Sequence, residues 1–159
     1  MPSNFFKTLI FTTLASVIVV GLVPVYLVGS NARIHGWIDW LGLLPVALGA
    51  ALYSWCAWKF ALAGGTPAPI DPPTRLVVSG PYRVIRNPMY VGVPLVLLGE
   101  SILFSSWAIL GFAALVWVLF HLLVVFDEEP ELNEKFGAAY GDYCRVVPRW
   151  LPGFRNEGD

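Results

Sequence analysis

From Thr8 to Val28 the chain runs without one charged residue, and this constrains its fold more than any other feature. About 20 consecutive apolar residues are the length needed to cross the hydrocarbon core of a bilayer. Similar runs follow. Trp40 to Trp58 is bounded by Asp39 and Lys59, Met89 to Phe104 is shorter, and Trp107 to Phe126 is full length. Only Ser105 and Ser106 part the last two, which suggests a tight helical hairpin. Four spans are therefore expected, over residues 8–28, 38–60, 88–104 and 107–126, in an all-α integral membrane protein with a cytoplasmic tail, 127–159. A cleaved leader is the alternative for the first run, but the run exceeds an ordinary apolar leader core of about 7–15 residues and no A-x-A site follows. Charged residues make up only 13% of the chain, against about a quarter in soluble domains. The length, 159 residues, fits one domain, 1–159.

With four spans and both ends on one side, Lys7, Lys59, Arg75, Arg83, Arg86, Lys135, Arg145, Arg149 and Arg155 share that side, and Arg33 alone lies opposite. The positive-inside rule makes the shared side cytoplasmic, on the inner membrane in a bacterial host. The bilayer is then the chain's first partner. A net charge of -1 gives no basis for nucleic-acid binding. Cys56 and Cys144 have neither metal-ligand spacing nor a disulfide framework, so no metal is expected. The end, Asn156 to Asp159, has no cysteine motif for prenylation. Gly42 and Gly49 could pack helices within or between chains, which leaves oligomeric state open.

Polar residues concentrate at the cytoplasmic face. Residues 80–92 read GPYRVIRNPMYVG, preceded by a Pro- and Gly-rich loop from Ala63 to Ser79. Asn87 is a preferred N-cap and Pro88 a preferred first helical residue, so a helix should start there. Ser79-Gly80-Pro81 offers a second, shorter start. Free helix amides beside Arg83 and Arg86 make a small anion-binding corner. The plainer alternative is two snorkelling arginines with Tyr82 and Tyr90 in an interfacial belt.

In the tail, Leu132, Phe136, Tyr140, Tyr143 and Val147 recur at helical spacing, predicting an amphipathic helix on the membrane face. Glu131 and Lys135 form a favourable pair four apart. Asp127, Glu128 and Glu129 stand where a helix C-terminus prefers cations. A helix restarted at Pro130 would place them at an N-terminus instead. A hairpin brings its cytoplasmic ends together, so these acids should face the Arg-Asn-Tyr corner. Glu100 and His121 are ionisable groups inside spans and hence functional candidates.

Gly80-Pro81-Tyr82-Arg83 followed by Arg86-Asn87-Pro88-Met89-Tyr90 and Gly92 resembles the G-P-Y-R-x-x-R-H-P-x-Y-x-G signature of the isoprenylcysteine carboxyl methyltransferase family. The tail continues the resemblance through Glu128-Glu129, Leu132, Phe136-Gly137, Tyr140, Tyr143, Val147-Pro148 and Pro152. It covers about residues 64–152, and the wider group includes phospholipid methyltransferases. Asn87 stands where the family has histidine, so no titrating ring is available there.

The resemblance implies S-adenosylmethionine as methyl donor. Glu128 and Glu129 would face its sulfonium and ammonium, and Arg83, Arg86 and the Asn87 helix start its carboxylate. Tyr82, Tyr90, Val91 and Leu95 would line the adenine, Gly92 would also contact the cofactor, and Phe136 and Tyr140 would close over it. No G-x-G-x-x-G follows a strand, which excludes a Rossmann-type site on pattern. Arg83, Glu129 and His121 are the candidate catalytic residues. A carboxylate acceptor needs no general base, whereas a thiol or amine needs a proton sink, for which His121 or a glutamate is the candidate. The expected acceptor is a lipophilic or amphiphilic molecule entering from the bilayer. Two other classes compete: a membrane reductase using NADPH, related to sterol reductases, and a non-catalytic four-span accessory protein.

Overall fold

The computed structural model describes residues 17–29, 36–62 and 76–152. Among these every regular element is helical. In chain order they are α1 (Val17–Val28), α2 (Leu43–Leu62), α3 (Pro88–Leu103), α4 (Trp107–Leu123), α5 (Glu129–Phe136) and α6 (Ala138–Val146). A 3-10 segment, Trp37–Gly42, leads into α2, and a 3-10 turn, Gly80–Arg83, precedes α3. Lys7, Arg33, Arg75, Arg155, Asn156 to Asp159, residues 8–16 of the expected first span and most of the loop after α2 lie outside the described residues.

Two helices are long and apolar enough to cross a membrane, Trp37–Phe60 and Trp107–Phe136. Their most apolar windows are only 17% and 22% buried, so neither is the wrapped core helix of a soluble protein. Leu44, Leu48, Leu115, Val118 and Leu119 face outward along them, and Trp37, Trp40 and Trp107 stand exposed at one end, where interfacial aromatics sit. The expected third span is α3, 16 residues long. At about 1.5 Å per residue it covers about 24 Å, short of a hydrocarbon core of about 30 Å.

Packing depends on one close antiparallel seam between α2 and α3. Gly42 lies against Gly99 and Gly49 against Gly92; a Cβ on Gly42 would stand 2.4 Å from the Gly99 carbonyl oxygen, and one on Gly49 2.5 Å from that of Gly92. Gly42, which ends the 3-10 segment, and Gly49 of α2 are about two turns apart, as are Gly92 and Gly99 of α3, so each pair falls on one face and lets the backbones touch. Gly42 and Gly49 thus pack helices within the chain. On the other side of α3, Val93 and Leu97 pack with Ile109, Ala113 and Val116 of α4 and Val28 of α1.

The α3–α4 turn is fixed by polar contacts. Ser105 takes a positive φ of 47° and donates through Oγ to Asp39 Oδ1 at 3.1 Å, while Asp39 Oδ2 accepts from the Gly36 amide at 3.1 Å. Ser106 Oγ accepts from the Ile109 amide at 3.4 Å and caps α4. This hairpin returns the end of α4 to the start of α3.

Two expectations for the tail are corrected. The helix does not restart at Pro130: helical backbone passes through Glu128 (φ -72°, ψ -45°), and Trp107–Phe136 is one continuous rod. A π-helical turn, Val124–Glu128, interrupts its α geometry, with the Glu129 amide donating to the Val124 carbonyl. Proline's ring crowds the carbonyl four residues back and has no N–H to offer it; the wider turn just before Pro130 makes room. The acids therefore sit inside a helix that ends only at Phe136, which removes the conflict with the dipole. The single amphipathic helix is instead two, because Gly137 (φ 52°, ψ -125°) ends α5 and turns the chain into α6.

Candidate active site

The loop before α3 is assembled by local chemistry. Gly80 takes φ +64° beneath Lys59 and Trp55 of α2, where a Cβ would lie 3.0 Å from Lys59 Cε. Pro81 opens the 3-10 turn and is buried with Tyr82, whose ring meets Phe60 edge-on at 5.5 Å. Ile85 is buried beyond it. Asn87 occupies the N-cap position of α3 and Pro88 the first turn, as the residue types predict. The Asn87 side chain makes no cap hydrogen bond; Nδ2 instead donates to the Arg149 carbonyl at a long 3.5 Å. The tail lies alongside this corner, and a second tie runs from the Arg86 amide to the Pro148 carbonyl at 2.8 Å.

The acids at the end of α4 do face the corner. Arg86 Nη1 donates to Glu129 Oε1 at 2.9 Å and to Cys144 Sγ at 2.8 Å. Arg149 forks the same carboxylate, through Nε to Oε1 at 2.8 Å and Nη2 to Oε2 at 2.7 Å. The Arg86, Glu129 and Arg149 side chains are 14%, 17% and 33% exposed, so solvent screens them little. The bond to Glu129 raises the Arg149 pKa above the ordinary guanidinium value, fixing the charged form. Tyr90 hydroxyl donates to Glu128 Oε1, and its ring packs on Phe120 at 4.7 Å. One buried donor of this guanidinium, Arg86 Nε, has no hydrogen-bond partner among the described residues.

α6 closes the face. Tyr143 hydroxyl donates to the Tyr82 carbonyl at 2.7 Å, and the Tyr143 and buried Tyr140 rings lie 6.2 Å apart. Burial, ahead of any charge effect, pushes the Tyr143 pKa up to about 12 and lifts Tyr82 and Tyr140 above the ordinary phenol value. Trp150 packs tilted against Trp117, ring centroids 4.7 Å apart, and donates its indole N–H to His121 Nδ1 at 3.2 Å. With Nδ1 accepting, the neutral imidazole carries its proton on Nε2. Among the described residues no group of three or more metal-ligating side chains could hold an ion.

The family model for phospholipid methyltransferases matches residues 37–139, from the start of the second expected span into the tail. The chain belongs to the phospholipid methyltransferase family. Relatives across the family carry different names. A nickel-cobalt-cadmium resistance protein of Alcaligenes xylosoxydans xylosoxydans is 26% identical over 151 residues, covering 93% of this chain and 67% of the relative. A cobalt-zinc-cadmium resistance protein of Cupriavidus metallidurans is 30% identical over 140 residues, 85% of this chain and 61% of the relative. Protein-S-isoprenylcysteine O-methyltransferase B of Arabidopsis thaliana is 27% identical over 124 residues, 74% of this chain and 61% of the relative. The chain thus spans 61–67% of the length of these relatives.

Among the residues singled out in this methyltransferase-family sequence, Arg86, Asn87, Tyr90, Glu128, Glu129 and Tyr140 come together at one corner, with Tyr82 buried at its edge. Arg83 is exposed, whereas Arg86 is partly buried. Gly92 faces α2, where a Cβ would meet the Gly49 carbonyl at 3.0 Å, so it packs helices. Val91, Leu95 and Phe136 are half-buried, the last with the Lys135 ammonium 5.7 Å from its ring centroid. His121 is engaged by Trp150, whose indole N–H donates to its Nδ1. Glu100 lies away from the corner on α3, with Oε2 buried and unpartnered among the described residues. Arg149, Cys144 and Trp150 were not singled out by the sequence; the one signal for Arg149 was its place between Pro148 and Pro152.

Proposed function

We propose that this chain is an S-adenosylmethionine-dependent methyltransferase with four membrane spans, its termini and site facing the cytoplasm, acting on a lipophilic or amphiphilic acceptor. The observation that carries the reading is the junction of the two motif halves: Arg86 and Tyr90, from the loop and the start of α3, bond Glu129 and Glu128 at the end of the long helix. The side chains at that junction fit the cofactor's amino-acid part, a zwitterion. Arg86 keeps a buried donor free at Nε for a carboxylate. Glu128, held by one hydroxyl, offers its remaining acceptor positions to an ammonium. Tyr82, Tyr90, Val91 and Leu95 supply apolar and aromatic wall for adenine, and α6 with Tyr140 excludes water.

When bound, S-adenosylmethionine supplies a methyl group on a sulfonium, which an acceptor takes while the bonding pair stays on sulfur. The protein's share is to hold the two reactants in line in a partly dry pocket. A carboxylate acceptor suits this corner, since it needs no proton sink and His121 already accepts a hydrogen bond from Trp150. Lateral entry from the bilayer follows from the exposed apolar flanks of the two long helices. The heavy-metal resistance names of two relatives speak against taking a prenylcysteine for granted, so the acceptor is proposed only by class.

Thermal unfolding of the detergent-purified protein, titrated in parallel with S-adenosylhomocysteine and NADPH, tests the reading. A ligand at a hundredfold its dissociation constant stabilises by about 2.7 kcal/mol. Saturable stabilisation by S-adenosylhomocysteine alone is expected, with methyl transfer from labelled cofactor into a lipid extract. Stabilisation by NADPH alone would overturn the assignment.

A further inference from the structure

Glu129 is too fully engaged to serve as a cation's counter-ion. A carboxylate has about four lone-pair positions. Three are taken here, by Arg86 Nη1, Arg149 Nε and Arg149 Nη2. Two guanidiniums share this one carboxylate, so the Arg86–Glu129–Arg149 triad carries one positive charge of its own and offers an anion a side separate from Glu128, which Tyr90 holds. Glu129 is then the fastening between the two arginines. Arg149 itself is fixed from both sides: the carbonyl before it accepts from the Arg86 amide, its own carbonyl from Asn87 Nδ2, and the next residue, Trp150, packs on Trp117 and bonds His121. A fork on a segment held this way is preorganised, so its directionality is kept at little entropic cost.

We propose that Arg149 is a positioning residue for cofactor binding: its fork fixes Glu129, and Glu129 in turn fixes the Arg86 guanidinium whose Nε receives the carboxylate of the cofactor's amino-acid part. This rests on the methyltransferase reading above and deepens it, replacing the exposed Arg83 by Arg149 as the second cation of the anion corner. Lysine at this position keeps the charge and loses the fork, so an effect of Arg149→Lys reports geometry.

The test compares two ligands on the full chain, by calorimetry in detergent. S-adenosylhomocysteine carries the amino-acid carboxylate, and 5′-methylthioadenosine lacks the whole amino-acid part. Arg149→Lys is expected to weaken the first about tenfold or more and leave the second unchanged. Glu129→Gln should show the same selectivity, and the double variant little further loss, since both act through one chain of contacts. Equal weakening of both ligands would mean a structural role only and would overturn the proposal. Unchanged S-adenosylhomocysteine binding would overturn it too, as would tighter binding, which would mean that Arg149 competes with the ligand. Wild-type protein that binds neither ligand would instead refute the methyltransferase reading itself. The Arg149→Lys unfolding midpoint without ligand, expected close to wild type, keeps a folding defect separate from a binding one.

Discussion

Placing alanine at Gly42 tests the α2–α3 seam. Its Cβ would stand 2.4 Å from the Gly99 carbonyl oxygen and 2.7 Å from the Leu103 amide nitrogen. Both are backbone atoms, so no side chain can swing aside. Restoring an ordinary contact of 3.4 Å parts the helices by about 1 Å at this level. Overpacking of this kind costs about 1–3 kcal/mol. Gly92→Ala should cost less, because its nearest contacts are 3.0 and 3.2 Å. Gly111→Ala is the control: nothing lies within 4 Å of that Cβ, and replacing glycine in a helix interior gains up to about 1 kcal/mol. Equilibrium unfolding in mixed detergent micelles should therefore show opposite signs, a loss at Gly42 and a small gain at Gly111, with Gly92 between. S-adenosylhomocysteine affinity of the folded Gly42→Ala fraction should stay near wild type, since Gly42 lies at the end of the bundle away from Arg86. If Gly42→Ala and Gly111→Ala shift stability alike, the helices do not touch as described and the reasoning fails.

Tyr90→Phe keeps the ring against Phe120 and removes the donor to Glu128. Hydrogen bonds to charged groups contribute about 1.5–3 kcal/mol, so the unfolding free energy should fall by an amount in that range; an unchanged value would show that Glu128 finds another donor. Alkaline pH should loosen the tail. The Tyr143 pKa is raised from 10.0 to about 12 in the folded protein, so its contribution is fully present below about pH 10 and lost as pH rises through 12. Trp150 fluorescence should report release of the tail over that window, with Tyr143→Phe moving the onset upward. Release at a lower pH than wild type would contradict this.

How much of this was legible depends on how local each cause is. Uncharged apolar runs mark the helices because the signal is carried by each residue alone. Asn87-Pro88 marks the start of α3 because proline acts on its own backbone. Where the Asn87 amide points could not be read, since its partner is the carbonyl of a residue 62 positions away. The break at Gly137 was hidden because Leu132, Phe136, Tyr140 and Tyr143 keep helical phase straight across it. Gly42 and Gly49 announced close packing without naming a partner, since small residues fit any neighbour. Arg149 carried only its place between Pro148 and Pro152: its fork exists because the tail returns past α3 to meet a carboxylate in the last turns of the long rod.

The π turn at Val124–Glu128 separates two properties that a regular helix would tie together. Each residue of an α-helix advances the facing direction by about 100°, so the exit from the apolar stretch ordinarily dictates where the acids aim. A wide turn holding one extra residue breaks that coupling. The part before it can answer to lipid and to its packing on α3, while the part after it is phased on Arg86 and Arg149. Removing a single residue between Val124 and Phe126 should therefore leave the hydrophobic rod as long as before, to within one residue, and turn Glu128 and Glu129 about a quarter of the way around it. For an evolving member of the family this is an independent dial, by which Glu128 and Glu129 can be re-aimed without re-cutting the apolar rod.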